Sequence, residues 1–242
     1  MNRFVFLFLT IIACFVCTGS ASATGTKYNE MSLQDQLTYT AQHLEGPWVS
    51  PKAKAPETPE ERNARLGIIT SAIILELPNA QGLRGEKWFW DDKVLAWSTF
   101  TKMWWESGRF SLAVHSGKKR GDAGRSVCLG QIMRGEEELV GTDLESTRKC
   151  VRRVMAFLIM HQNGCLAPQA KPSAYSMAMI YAGYGTGNTC NPNHWMKIHK
   201  KGGGYVMNPD GTFKRNYWAR KRGWMFWQLY TGKHTSQRAK SD

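Results

Sequence analysis

Apolar residues recur at helical spacing along several stretches of this chain, and each stretch opens or closes on residues that start or stop helices. Thr58-Pro59-Glu60-Glu61 places an N-cap threonine before proline and sets glutamate three residues after the cap, a capping box with proline at the first helical position, where no amide is needed. Behind it Arg65, Ile68, Ile69, Ala72, Ile73 and Leu75 form a stripe that predicts a helix ending before Pro78. A second helix is predicted from Asp91 or Asp92 through Val94, Leu95, Trp97, Phe100, Met103 and Trp104, with Gly108 as its stop. Thr142 with Glu145 reads as another capping box, opening a helix faced by Val151, Val154, Met155, Leu158 and Ile159 and closing at Asn163-Gly164. A short apolar helix, Ala174 to Tyr181, and a basic helix with an aromatic side, Arg215 to Tyr230, follow. Residues 109–135 are rich in Gly, Ser and basic residues and predict a loop or small hairpin region.

The first residues change this picture. Met1-Asn2-Arg3, the apolar run Phe4–Val16 and the small residues Ser20–Ala23 have the form of a secretory signal peptide cut after Ala23. The run is shorter than the roughly 18–20 residues needed to cross a bilayer. Export, to a periplasmic or extracellular compartment, makes the cysteines candidates for disulfides. Cys14 and Cys17 leave with the signal; Cys128, Cys150, Cys165 and Cys190 remain, enough for two bridges. On a helix running from Asp143 to His161, Cys150 and Cys165 stand about 22 Å apart, whereas a disulfide spans Cα atoms only about 4.4–6.8 Å apart. Two connectivities are left, and Cys128–Cys150 with Cys165–Cys190 is preferred because it closes the shorter loops. No paired CxxC occurs, so no zinc site built with His194 or His199 is expected, and no metal or cofactor is implied.

The formal net charge of +13 falls by one, to +12, when Arg3 is removed, so an acidic polymer is the expected partner. Export disfavours nucleic acid and leaves the cell wall or, at most, peripheral contact with an anionic membrane. Residues 191–242 concentrate the charge, with eleven Lys or Arg against two Asp, interleaved with nine aromatics.

The stretch with chemical content is Trp104-Trp105-Glu106-Ser107-Gly108-Arg109-Phe110, followed by Gly121-Asp122-Ala123-Gly124 and Leu129-Gly130-Gln131-Ile132. A glycosidic bond breaks when a carboxylic acid protonates the leaving oxygen. Glu106, at the end of an apolar helix beside two tryptophans, is placed where desolvation would raise its pKa and keep it protonated. Asp122 is the candidate second carboxylate for activating water, its alternative role being to shape the turn.

A Glu-Ser pair closing an apolar helix, a glycine-rich loop and a Leu-Gly-Gln-Ile tetrapeptide together resemble the lysozyme-like superfamily of goose-type lysozymes and lytic transglycosylases. Thr142-Asp143-Leu144-Glu145 and Ile180-Tyr181-Ala182-Gly183 resemble two later transglycosylase motifs in the same order, and the resemblance spans about residues 60–190. It implies a mainly α, lysozyme-like α+β fold with a small hairpin beside an active-site cleft, and cleavage of the glycan strands of peptidoglycan. It also implies Glu106 as catalytic acid and Ser107, Gln131 and Tyr181 as substrate-binding residues. Met133 stands where goose-type enzymes carry an aspartate, and Tyr181 where transglycosylases carry an asparagine, so the hydrolytic and anhydro-forming routes both stay open.

The expected organisation is a signal peptide (1–23), an N-terminal arm or linker (24–57), a catalytic domain (58–190) and a basic aromatic extension packed on it (191–242), acting as a monomer. The competing reading is an exported, non-catalytic glycan-binding protein anchored by the basic aromatic tail.

Overall fold

The structure, a computed structural model, describes residues 28–44, 57–121, 124–133, 137–186, 190–193, 207, 209–212 and 217–233. The signal peptide, Pro47, Pro51, Pro56, Asp122, His194 and His199 lie outside the described residues. The described chain is mainly helical, with seven α-helices and a single two-stranded sheet. None of the described helices is long and apolar enough to cross a membrane.

Helix α1 (Leu33–His43) falls within the segment predicted as an arm. Its composition is polar, but Leu37 and Ala41 lie one turn apart and bury against helix α2 (Pro59–Glu76), while Thr38 and Gln34 hydrogen-bond Thr70 and Ser71. In α2 the capping box forms as the sequence predicts: Thr58 Oγ1 accepts from the Glu61 amide, and the Glu61 carboxylate accepts from the Thr58 amide. Helix α3 (Asp92–Glu106) is capped by the Asp91 carboxylate on the Val94 amide. It is the centre of the molecule. Every residue from Val94 to Trp104 is buried, so α3 has no solvent stripe and its polar residues Ser98, Thr99, Thr101 and Lys102 lie inside.

After the short α4 (Leu112–His115), strands β1 (Ser126–Val127) and β2 (Ile132–Met133) pair antiparallel, Ser126 opposite Met133 and Val127 opposite Ile132. Helix α5 (Leu144–Cys165) is capped by Asp143, whose carboxylate accepts from the Ser146 amide. The cap is therefore one residue later than the predicted Thr142, and the helix continues through Asn163-Gly164. Its buried face contains the five predicted apolar residues. Both predicted disulfides are present: Cys128–Cys150 ties the hairpin turn to the start of α5, and Cys165–Cys190 ties down its end.

Helix α6 (Ala174–Thr186) runs past the predicted end at Tyr181. Helix α7 (Tyr217–Tyr230) packs along α6 and α3 through Ala219, Gly223, Phe226 and Leu229, leaving Tyr217, Trp218 and Trp224 exposed. Gly223 makes this approach possible, since a Cβ there would meet the Ala174 carbonyl oxygen at 2.2 Å.

An ionic cluster around one buried carboxylate joins α2 to α5. Glu76 is fully buried, and its two carboxylate oxygens accept from Arg148 Nε and Arg152 Nε, each at 2.7 Å. Burial alone would raise the Glu76 pKa, but the two guanidinium groups outweigh it and hold the carboxyl below its usual value.

Candidate functional site

Glu106 is the last residue of α3, and the chain behind it turns through an unusual path. Gly108, Arg109 and Phe110 all have left-handed backbone angles, φ 64°, 71° and 54°. Glycine adopts this region freely; Arg and Phe do so at a cost of about 1–3 kcal/mol each. Ser107 fixes the turn: its hydroxyl donates to the Met103 carbonyl at 2.6 Å and accepts from the Phe110 amide at 2.8 Å. Phe110 is buried edge-on against Phe100, and the Arg109 guanidinium lies over the Trp104 ring.

The other two left-handed non-glycine residues among the described residues are Cys128 (φ 57°) and Gln131 (φ 49°), at the two ends of the hairpin turn. Gln131 Nε2 donates to the Cys128 carbonyl, and its side chain lies over the backbone of Gly121, where a Cβ would meet Gln131 Oε1. The backbone strain of the described chain is thus confined to the two segments singled out from the sequence.

Tyr184 of α6 links these segments. Its hydroxyl donates to the Gly130 carbonyl at 3.2 Å, and Lys102 Nζ lies 3.6 Å from the centre of its ring. Lys102 in turn donates to Glu106 Oε1 at 2.6 Å, while Arg222 of α7 reaches the same oxygen at 2.8 Å. The side chain of Lys102 is 1% exposed and that of Glu106 20%. One carboxylate therefore faces two cations in a nearly closed site.

This arrangement corrects the expectation for Glu106. Burial does push its pKa up, but Lys102 and Arg222 more than offset that push, and the carboxyl sits below its usual value, ionised rather than protonated. The excess cation is felt by Lys102. Burial, aided by Arg222 and opposed by Glu106, lowers its pKa to about 7. Burial and the nearby Lys102 lower His161 to about 4, and burial raises the Tyr184 phenol well above its usual value. Two buried donors near this centre, Nε1 of Trp105 and Nε of Arg222, have no hydrogen-bond partner among the described residues.

The remaining predicted residues are distributed differently. Ser107 is buried and acts on the backbone of the turn. Tyr181, expected to contact a sugar, is 1% exposed and donates to the Ser98 carbonyl inside the core, because α6 turns that face toward α3. Gln131 is half-buried at the hairpin, and Asp122 lies outside the described residues. Sequence reasoning missed Lys102, Tyr184 as a bridge, and Arg222. Lys102 was detectable four residues before Glu106, the spacing that brings two side chains together on a helix; Arg222 had no local signal.

The site has an aromatic and basic border. Trp105 meets Trp218 of α7 edge-on at 6.2 Å, and Lys221 lies over the rings of Trp105 and Tyr217. Among the described residues no group of three His, Cys, Asp or Glu side chains is placed to hold a metal ion. No family model, no curated protein and no solved structure matches this chain.

Proposed function

We propose that this chain is an exported enzyme that cleaves the β-1,4 bond between N-acetylmuramic acid and N-acetylglucosamine in peptidoglycan, with Glu106 as the proton-transferring group. The observation that carries the reading is the strained backbone. The left-handed residues that follow Glu106 and those that bracket the hairpin turn lie in the two motif segments of the lysozyme-like resemblance, and Tyr184 from a third segment joins the hairpin, through Lys102, to Glu106. Strain of this kind persists where geometry must be held for function. The exposed aromatic residues and Lys221 next to Glu106 suit a glycan bearing carboxylates. The signal-like start and two disulfides support export.

The resting ion pairs shape the mechanism. A carboxylate held by two cations cannot donate a proton, so substrate has to take the place of Arg222 at Glu106 before the leaving oxygen can be protonated. The ammonium of Lys102, hydrogen-bonded to the same carboxylate, is the group in contact that can supply that proton. Glu106 then takes a proton back, from the water that attacks the anomeric carbon or from the sugar hydroxyl that closes an anhydro ring on it, and returns it to the Lys102 amine, which restores the resting pair.

The same clamp favours a second reading, a glycan-binding protein in which the Lys102–Glu106–Arg222 cluster is structural. Glu106→Gln separates them. The enzyme reading expects clearing of purified cell walls to fall at least about 100-fold while the far-ultraviolet spectrum and wall pelleting persist. Absence of any muropeptide release by the unaltered protein would leave only the binding reading.

A further inference from the structure

At the opposite end of α3 from Glu106, about 22 Å away along 15 helical residues, an open groove of about 510 Å³ lies between the end of α2 and the start of α3. Asn79, Gln81, Lys87, Trp88, Trp90 and Asp92 line it. Nothing in the reading of Glu106 uses these residues.

The groove is preformed. The segment 87–90 is not helical, yet it is fastened along its length: Asn163 Nδ2 donates to the Lys87 carbonyl, and the Phe89 amide donates to Gln162 Oε1. Trp90 Nε1 donates to the Ala170 carbonyl at 2.6 Å and Trp88 Nε1 to the Asp91 carbonyl at 3.2 Å. The two rings meet edge-on, 5.2 Å between centres. Because both indole N–H groups are already bonded to the protein, the exposed part of these half-buried rings offers a ligand carbon rather than N–H, in a fixed orientation. The side chains of Asn79, Gln81, Lys87 and Asp92 make no hydrogen bond among the described residues and stand around that surface.

From this lining we infer a second ligand site that takes a neutral pyranoside, such as an N-acetylhexosamine unit of a glycan. A pyranose has one apolar C–H face, which fits an indole, and a rim of hydroxyl and amide groups, which fits side-chain amides that both donate and accept. Lys87 and Asp92 carry opposite charges, so the lining itself is neutral and does not single out an anion. The volume falls in the range of small-molecule sites, about 300–1,000 Å³, and the fastened loop reduces the ordering cost of binding. The site stands whether or not Glu106 cleaves.

The test uses the full chain carrying Glu106→Gln, so that ligand is not consumed, titrated with tri-N-acetylchitotriose while the indole N–H resonances are followed. Trp88 and Trp90 report the groove; Trp105 and Trp218 report the Glu106 end. The groove site predicts saturable shifts of Trp88 and Trp90, with Asn79→Ala and Gln81→Ala, both exposed positions, each weakening them about fivefold, the loss expected for one hydrogen bond. Trp88→Ala removes the shift of Trp90. Shifts confined to Trp105 and Trp218 overturn the groove and leave the proposed activity untouched. Equal shifts of Trp88 and Trp90 with a glutamate-rich tripeptide or with inorganic phosphate overturn the sugar assignment.

Discussion

Replacing Gly223 by alanine tests how α7 is attached to the site. A Cβ at position 223 would stand 2.2 Å from the Ala174 carbonyl oxygen, 2.8 Å from the Ala178 amide nitrogen and 2.9 Å from its Cβ. Two of these are backbone atoms of α6, so no side chain can swing away, and α7 has to retreat by about 1 Å to reach ordinary contact. Overpacking of this kind costs about 1–3 kcal/mol, while alanine in place of glycine inside a helix returns about 1 kcal/mol. The expected net loss is about 0–2 kcal/mol, a fall in Tm of up to about 8 °C for a chain of this size, measured by far-ultraviolet circular dichroism. Arg222 moves with α7, and a 2.8 Å contact lengthened by 1 Å is no longer a hydrogen bond. Gly67, mid-way along α2 with nothing within 4 Å of where an added Cβ would stand, is the control; Gly67→Ala should stabilise by about 0.5–1 kcal/mol. If Gly223→Ala also stabilises, the close packing of α7 on α6 is refuted, and the pairing of Arg222 with Glu106 loses its support.

Four further outcomes follow from other parts of the fold. Glu76→Ala removes the buried carboxylate and lets the partly exposed Arg148 and Arg152 turn to water, so it should cost about 1–3 kcal/mol in chemical denaturation; Glu76→Gln should recover part of the loss. Because the folded pKa of Glu76 is depressed, its contribution is present above the unfolded carboxylate pKa and disappears as pH falls through the folded value. His115 and His161 have folded pKa values of about 3 and about 4, below the unfolded value near 6.5. Their stability is intact above pH 6.5 and is lost as pH falls through that window, at up to about 1.4 kcal/mol per pH unit for each; melting temperatures unchanged between pH 7 and pH 4.5 would contradict this. Reduction of the Cys128–Cys150 and Cys165–Cys190 bridges, which span 22 and 25 residues, should cost about 3 kcal/mol each, read as a lower unfolding midpoint in dithiothreitol. Arg222→Met removes one of the two cations on Glu106, so any wall-clearing activity should persist to higher pH than in the unaltered protein.

The helices were legible where caps and stripes agreed: Thr58 with Glu61, Asp91 before Val94, and the apolar face of α5 all set their elements through local physics. Helix α1 was not, because two of its four buried residues, Gln36 and Thr40, are polar, and with only Leu37 and Ala41 as buried apolar positions its sequence reads as solvent-facing loop. The cap of α5 shifted from Thr142 to Asp143 because either residue can accept an amide and the choice is made by the fold. The position of Glu106 at a helix end was visible; its ionisation was not. That depends on Arg222, far along the chain, and on the burial of Lys102, whose long polar side chain signals exposure when the helix is taken alone. Tyr181 illustrates the same limit. A motif places it near the site, but the rotation of α6 decides which face of the helix sees the core.

The double contact on Glu106 also says something about assembly. Before α7 docks, Lys102 and Glu106 balance each other, one positive and one negative. Arg222 of α7 adds a third charge to a pair that is already neutral, while Ala219, Phe226 and Leu229 of the same helix bury apolar surface. The last helix of the described chain is therefore held by two separate devices, an apolar seam and a charged latch, and anything that competes for the Glu106 carboxylate or supplies an anion to Arg222 acts on the latch and not on the seam.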